Sequence, residues 1–144
     1  MLAIKRFIRD KKGVSEAIGF LATILLLMLV ILNIWPPVKY VLQELVIENV
    51  NRVTLMEMEE EGGFTTDIKN KAIERLTNFG FDESKIEVTS TTPKPIQWGN
   101  EINLTIRYVN DYKQYSFSNF ALSQSQEDKT IEVTRSSVSR EYFK

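Results

Sequence analysis

Residues 14–35 read VSEAIGFLATILLLMLVILNIW, an apolar run whose only charge, Glu16, stands near its start. A helix of that length rises about 30 Å, the thickness of the hydrocarbon core of a bilayer. A helix that is apolar on every side can also be hidden inside a large soluble protein, but what remains of this chain amounts to one small domain and cannot surround it. The run therefore predicts a membrane span. A secretory signal peptide also begins basic and turns apolar, but its apolar core is about 7–15 residues long and closes on small residues. This run is longer and ends in Asn33-Ile34-Trp35-Pro36-Pro37, so the segment is expected to stay in the mature protein.

On the amino-terminal side, Lys5, Arg6, Arg9, Lys11 and Lys12 crowd the start, whereas the chain beyond the run is mildly acidic. Lys and Arg beside a membrane helix favour the cytoplasm. Residues 1–13 are thus expected to form a basic cytoplasmic leader, with the carboxy-terminal part outside and Trp35 at the outer interface. The full chain carries 18 basic and 19 acidic residues, interspersed and without a basic stripe, which argues against nucleic acid as a partner. It has no cysteine and no histidine. That excludes disulfides, thiolate nucleophiles, Cys/His zinc sites and imidazole acid–base chemistry. No cofactor and no enzymatic activity are expected.

On the other side, Pro36-Pro37 predict a kink or break, since proline lacks the amide donor and crowds the preceding turn. Residues 36–61 then read as an amphipathic extension of the helix, with Val38, Val41, Leu42, Leu45, Val46, Val50 and Val53 on one face. The run Glu57-Met58-Glu59-Glu60-Glu61 before Gly62-Gly63 lacks the spaced ligands of an EF-hand and reads as a solvated helix end. Residues 62–144 make up a small α+β extracytoplasmic domain. Thr66 or Asp67 is placed to cap a short helix with Ile68, Ala72, Ile73, Leu76 and Phe79 on one face, stopped by Gly80.

Beyond Gly80 the period changes to two: Ile86 and Val88, then Ile102, Leu104, Ile106 and Tyr108, then Tyr115 and Phe117, then Ile131 and Val133. Asn110-Asp111 reads as a tight turn between two strands, and residues 89–95 as a polar loop. Tyr108, Tyr112, Tyr115, Phe117 and Phe120 read as sheet core rather than as a stacking platform for bases or sugars. Asn103-Leu104-Thr105 is a single match to the glycosylation sequon. The expected fold class is α+β: a long N-terminal transmembrane and amphipathic helix, a short second helix and a small antiparallel sheet.

Lys11-Lys12-Gly13 stands directly before the run, followed by Val14-Ser15-Glu16-Ala17-Ile18-Gly19-Phe20. A basic pair, a glycine, then a hydrophobic helix with a carboxylate near its start resembles the class III leader of type IV prepilins. Val14, Ser15, Ile18 and Gly19 are similar to the start of archaeal pilins, and the order of long helix, short helix and strands resembles bacterial tight-adherence (TadE-like) proteins. The close resemblance covers about the first quarter of the chain. It implies that a prepilin peptidase cuts between Gly13 and Val14, and that Glu16 pairs with the free amine of Val14 on a neighbouring subunit. The family's carboxylate is usually the fifth mature residue, whereas Glu16 would be the third, a place where archaeal relatives often have proline.

Glu16 has a simpler reading as a side chain reaching headgroup water, and Gly13 as a linker glycine. Ala17, Gly19, Ala22 and Thr23 would let a neighbouring helix approach closely. The function the resemblance implies is that of a structural subunit of a type IV pilus, or of a Tad-like envelope filament or secretion machine. Its partners would be itself or related pilin subunits, the prepilin peptidase, a membrane assembly platform with a cytoplasmic ATPase, and membrane lipid. The alternative is an uncleaved single-pass scaffold or binding protein that displays the outer domain.

Overall fold

The computed structural model describes residues 11–118 and 121–141, so the leader up to Asp10 and the side chain of Phe120 lie outside the described residues. Two helices, α1 (Lys11–Glu61) and α2 (Thr66–Asn78), are followed by a single 3-10 turn at Glu83–Lys85 and by strands β1 (Ile86–Thr89), β2 (Glu101–Ser118) and β3 (Ala121–Val138). The fold is α+β, as expected. The three strands lie in the order β1-β2-β3, and β1 runs antiparallel to β2 with Ile86 opposite Tyr108 and Thr89 opposite Thr105. Contacts divide the chain into two compact units. One takes the described residues up to Pro37 together with Lys113–Ser125; the other takes Val38–Tyr112 and Gln126–Lys144.

The second unit holds the core. Ile47, Val50, Leu55 and Met58 from α1 meet Ile68, Ala72 and Leu76 from α2, Phe81, and Val88, Ile102, Leu104, Ile106, Tyr108 and Ile131 from the sheet. Period-two alternation places the even residues of β2 inward, and each such aliphatic side chain contributes about 1.5–3 kcal/mol when fully buried. Asn51 is buried among them. Its amide donates to the carbonyls of Leu104 (3.3 Å) and Val133 (2.8 Å), tying α1 to both long strands.

Of the face expected on residues 36–61, Val50 is buried, but Val38, Val41, Leu42, Leu45 and Val53 are exposed. The buried stripe is instead Ile47, Val50, Asn51, Thr54, Leu55 and Met58, at the i, i+3, i+4 spacing of one helix side. This segment of α1 carries two apolar stripes. The one interrupted by Asn51 and Thr54 is the one that packs, because the sheet offers carbonyls to the Asn51 amide.

No break occurs at Pro36-Pro37: α1 is helical through both. The missing donors fall on the carbonyls four residues back, those of Leu32 and Asn33. The cap of α2 sits one residue earlier than expected, at Thr65, whose side chain accepts from the Ile68 amide at 3.3 Å. Gly80 stops the helix at φ +85°, its N–H donating to the Thr77 carbonyl at 2.9 Å. Phe79 is exposed rather than on the packed face, because as C-cap, at φ −85° and ψ 4°, it no longer follows the helical step.

Asn110-Asp111 is not a turn. Both residues lie within β2, with Asn110 buried, and the hairpin connection falls between Ser118 and Ala121. The alternation that turns Tyr108 inward continues to Asn110, and the pair lacks the glycine that favours a two-residue hairpin. The loop expected at residues 89–95 starts one residue later, because Thr89 is the last residue of β1, and residues 90–95 are held in place by side chains. Asn103 accepts from the Thr91 amide (3.0 Å) and donates to the Thr91 hydroxyl (2.6 Å), a structural task that accounts for this asparagine. The same loop abuts Gly63, where φ is +131° and an added Cβ would stand 2.8 Å from the Lys94 backbone, so only glycine fits there without strain.

Candidate functional site

Within residues 13–35 of α1 every residue is exposed except Leu29, Leu32 and Asn33, which are half-buried. Among the described residues this is one helix, near the N-terminus, long and apolar enough to cross a membrane, and they bury none of its most apolar stretch. It is compatible with a single-pass membrane protein. The Thr23 hydroxyl donates to the Gly19 carbonyl at 2.9 Å, which satisfies that polar group within the helix.

Gly13, Val14, Glu16, Ala17, Gly19 and Ala22 are all exposed, while the side chains of Lys11 and Lys12 lie outside the described residues. At about 100° per residue, Glu16, Gly19, Ala22 and Thr23 share one side of the helix and Ala17 lies on the other. Among the described side chains no cation pairs with Glu16. An added Cβ at Gly13 or Gly19 would meet nothing within 4 Å. Glycine inside a helix costs about 1 kcal/mol relative to alanine, so neither glycine is explained by packing within one chain.

Farther along α1, Val38, Val41, Leu42, Leu45, Val53 and Met56 form an exposed apolar stripe on the side opposite the core. The acidic run after it is not a bare helix end. Glu57 is paired with the Arg75 guanidinium (Nη1–Oε2, 2.9 Å). Glu61 is paired with Lys94 (3.1 Å). Glu59, buried, accepts from the Ser137 hydroxyl and pairs with Arg140 (3.0 Å). Three of the four carboxylates thus have their own partners while Glu60 is exposed, and among the described residues no group of three or more acidic side chains could hold a metal ion.

The described aromatic residues of β2 are divided between the two units. Tyr108 is buried edge-on against Phe81 with ring centroids 4.8 Å apart. Tyr112 carries the Lys129 ammonium 4.0 Å above its ring. Tyr115 and Phe117 belong to the other unit.

Asn33, near the end of the apolar run, has a distinct place in the first unit. Its amide nitrogen donates to the carbonyls of Leu29 (2.9 Å) and Tyr115 (2.8 Å), and its amide oxygen accepts from the Tyr115 N–H (3.1 Å). One side-chain amide so takes both main-chain polar groups of a strand residue, as a neighbouring strand would. A polar residue inside a membrane run is the signal that points to it. Compared with known proteins, the chain matches no family model, no curated protein and no solved structure.

Proposed function

We propose that the chain is a structural subunit, pilin or minor pilin-like, anchored by residues 14–35 with its leader in the cytoplasm and its α+β head outside. In this reading it is matured after Gly13 and assembled through α1 into an envelope filament or secretion machine. The observation that carries the reading is the exposed stripe of Val38, Val41, Leu42, Leu45, Val53 and Met56, on the same helix segment whose other side is the core of the head. An apolar stripe on the water-facing side of a small domain marks a contact surface. Here it lies on a helix that also carries a bare apolar half, so a second copy of the helix is the fitting occupant. Gly13 and Gly19, unexplained within one chain, have their use in peptidase access and in close approach of a neighbouring backbone.

Because the chain contains no cysteine, one introduced thiol reports on its own position. In membranes from the native host, Leu42→Cys and Leu45→Cys are expected to form oxidative dimers several-fold faster than Glu44→Cys, which is exposed on another side of the helix. Equal rates at all three positions would count against α1 as the assembly surface.

A further inference from the structure

Among the described residues, the first unit contains, besides the apolar helix, only the end of the long hairpin, Lys113–Ser125. In a chain of which 26% is charged, residues 114–126 carry no charge at all and are bounded by Lys113 and Glu127. Two of the large apolar side chains on that hairpin end, Phe117 and Leu122, are 43% and 57% exposed. Asn33 fixes the Tyr115 backbone against α1, two residues before Trp35, and the half-buried residues of α1 near it, Leu29, Leu32 and Asn33, form one stripe at i, i+3 and i+4. The Ser116 and Ser123 hydroxyls bond to each other at 2.7 Å, which satisfies two polar groups across the hairpin.

From this juxtaposition we infer that the hairpin end is a second membrane contact, seated in the headgroup layer at the Trp35 end of the span, with Tyr115, Phe117 and Leu122 directed to lipid. The inference rests on reading residues 14–35 as the membrane span. If Asn33 is at membrane depth, the strand residue bonded to it is there too. A charge-free stretch with aromatic and aliphatic side chains suits that layer, where aromatic rings are favoured. The charges at both roots, Lys113 and Glu127, mark where water begins. A two-stranded hairpin has open edges whose N–H and C=O groups cannot be left bare in hydrocarbon. The headgroup layer still hydrates them, and Asn33 satisfies those of Tyr115 outright. A second copy of the chain is the rival occupant, but the serine-, glutamine- and asparagine-rich composition between the apolar residues fits a wet lipid interface better than a dry protein contact.

The test uses the full chain reconstituted in vesicles of phosphatidylcholine and phosphatidylglycerol, with single spin-labelled cysteines at Phe117, Leu122, Glu127 and Leu25. Collision with oxygen, enriched in lipid, is compared with collision with a water-soluble nickel complex. The oxygen-to-nickel ratio at Phe117→Cys and Leu122→Cys is expected to be several-fold higher than at Glu127→Cys, and to fall toward the Glu127→Cys value when Asn33→Ala is added. Water-like ratios at 117 and 122 with a lipid-like ratio at Leu25→Cys would overturn the inference while leaving the membrane span standing. A water-like ratio at Leu25→Cys as well would overturn the span itself. Line broadening at 117 and 122 that vanishes on dilution with unlabelled protein would assign the surface to a second copy, and would also overturn the inference.

Discussion

Glu16→Ala is expected to leave membrane insertion and processing intact and to remove most of the polymer that sediments from detached envelope filaments. Glu16→Gln is expected to do the same despite its similar size. In one chain Glu16 is exposed, and among the described side chains it has no cationic partner; close to the membrane boundary its carboxylate can stay hydrated. When residues 14–35 exchange lipid for neighbouring helices, that water is lost. A carboxylate in an apolar contact must then be paired, and the resemblance to prepilins supplies the Val14 amine of the next subunit. Leaving one member of a buried ion pair alone costs about 3–5 kcal/mol, so each subunit contact would weaken by a factor of about a hundred to a few thousand. Glu16 shares its helix side with Gly19, Ala22 and Thr23, so the proposed ion pair and the close backbone approach would belong to one contact. Normal polymer from both variants would remove the carboxylate from the assembly account.

The second large effect is in the head. Asn51→Asp is expected to unfold it at neutral pH, read as loss of the cooperative urea transition of the detergent-solubilised full chain and as rapid proteolysis of residues 62–144. Asn51 is fully buried, and its amide donates to two carbonyls, those of Leu104 and Val133. An ionised aspartate has no donor to offer, and sets a negative charge against two carbonyl oxygens in a fully buried site. Burying such a charge costs several kcal/mol, the same order as the roughly 5–15 kcal/mol total stability of a domain. The contrasting variant is Thr54→Val. The Thr54 hydroxyl is buried without a hydrogen-bond partner among the described residues, so its near-isosteric removal should be neutral or stabilising by up to about 1 kcal/mol. An unchanged urea midpoint for Asn51→Asp would contradict the packing described.

What the sequence made legible was local. The length and uniform apolarity of residues 14–35, the helix of residues 66–78 with Gly80 behind it, and the alternation around Ile102–Leu104–Ile106 each need only near neighbours to be read. The remaining features are decided by distant residues. Which stripe of α1 packs depends on carbonyls from Leu104 and Val133, so a pattern search that rejects Asn51 and Thr54 as core takes the wrong side. Glu59 is buried because Ser137 and Arg140 return to it from the far end of the chain. The hairpin was cut short at Asn110-Asp111 because a polar pair resembles a turn, although the inward alternation runs through it. The role of Asn33 shows in no local pattern because its partner, Tyr115, is on the last hairpin.

The measurement that bears most directly on the proposed role is the intact mass, with the amino-terminal sequence, of the protein purified from its native envelope. A mature chain beginning at Val14 is expected, with full-length precursor accumulating when Gly13 is replaced by leucine. Wild-type protein that still begins at Met1 would contradict the prepilin reading and leave an uncleaved single-pass anchor in its place.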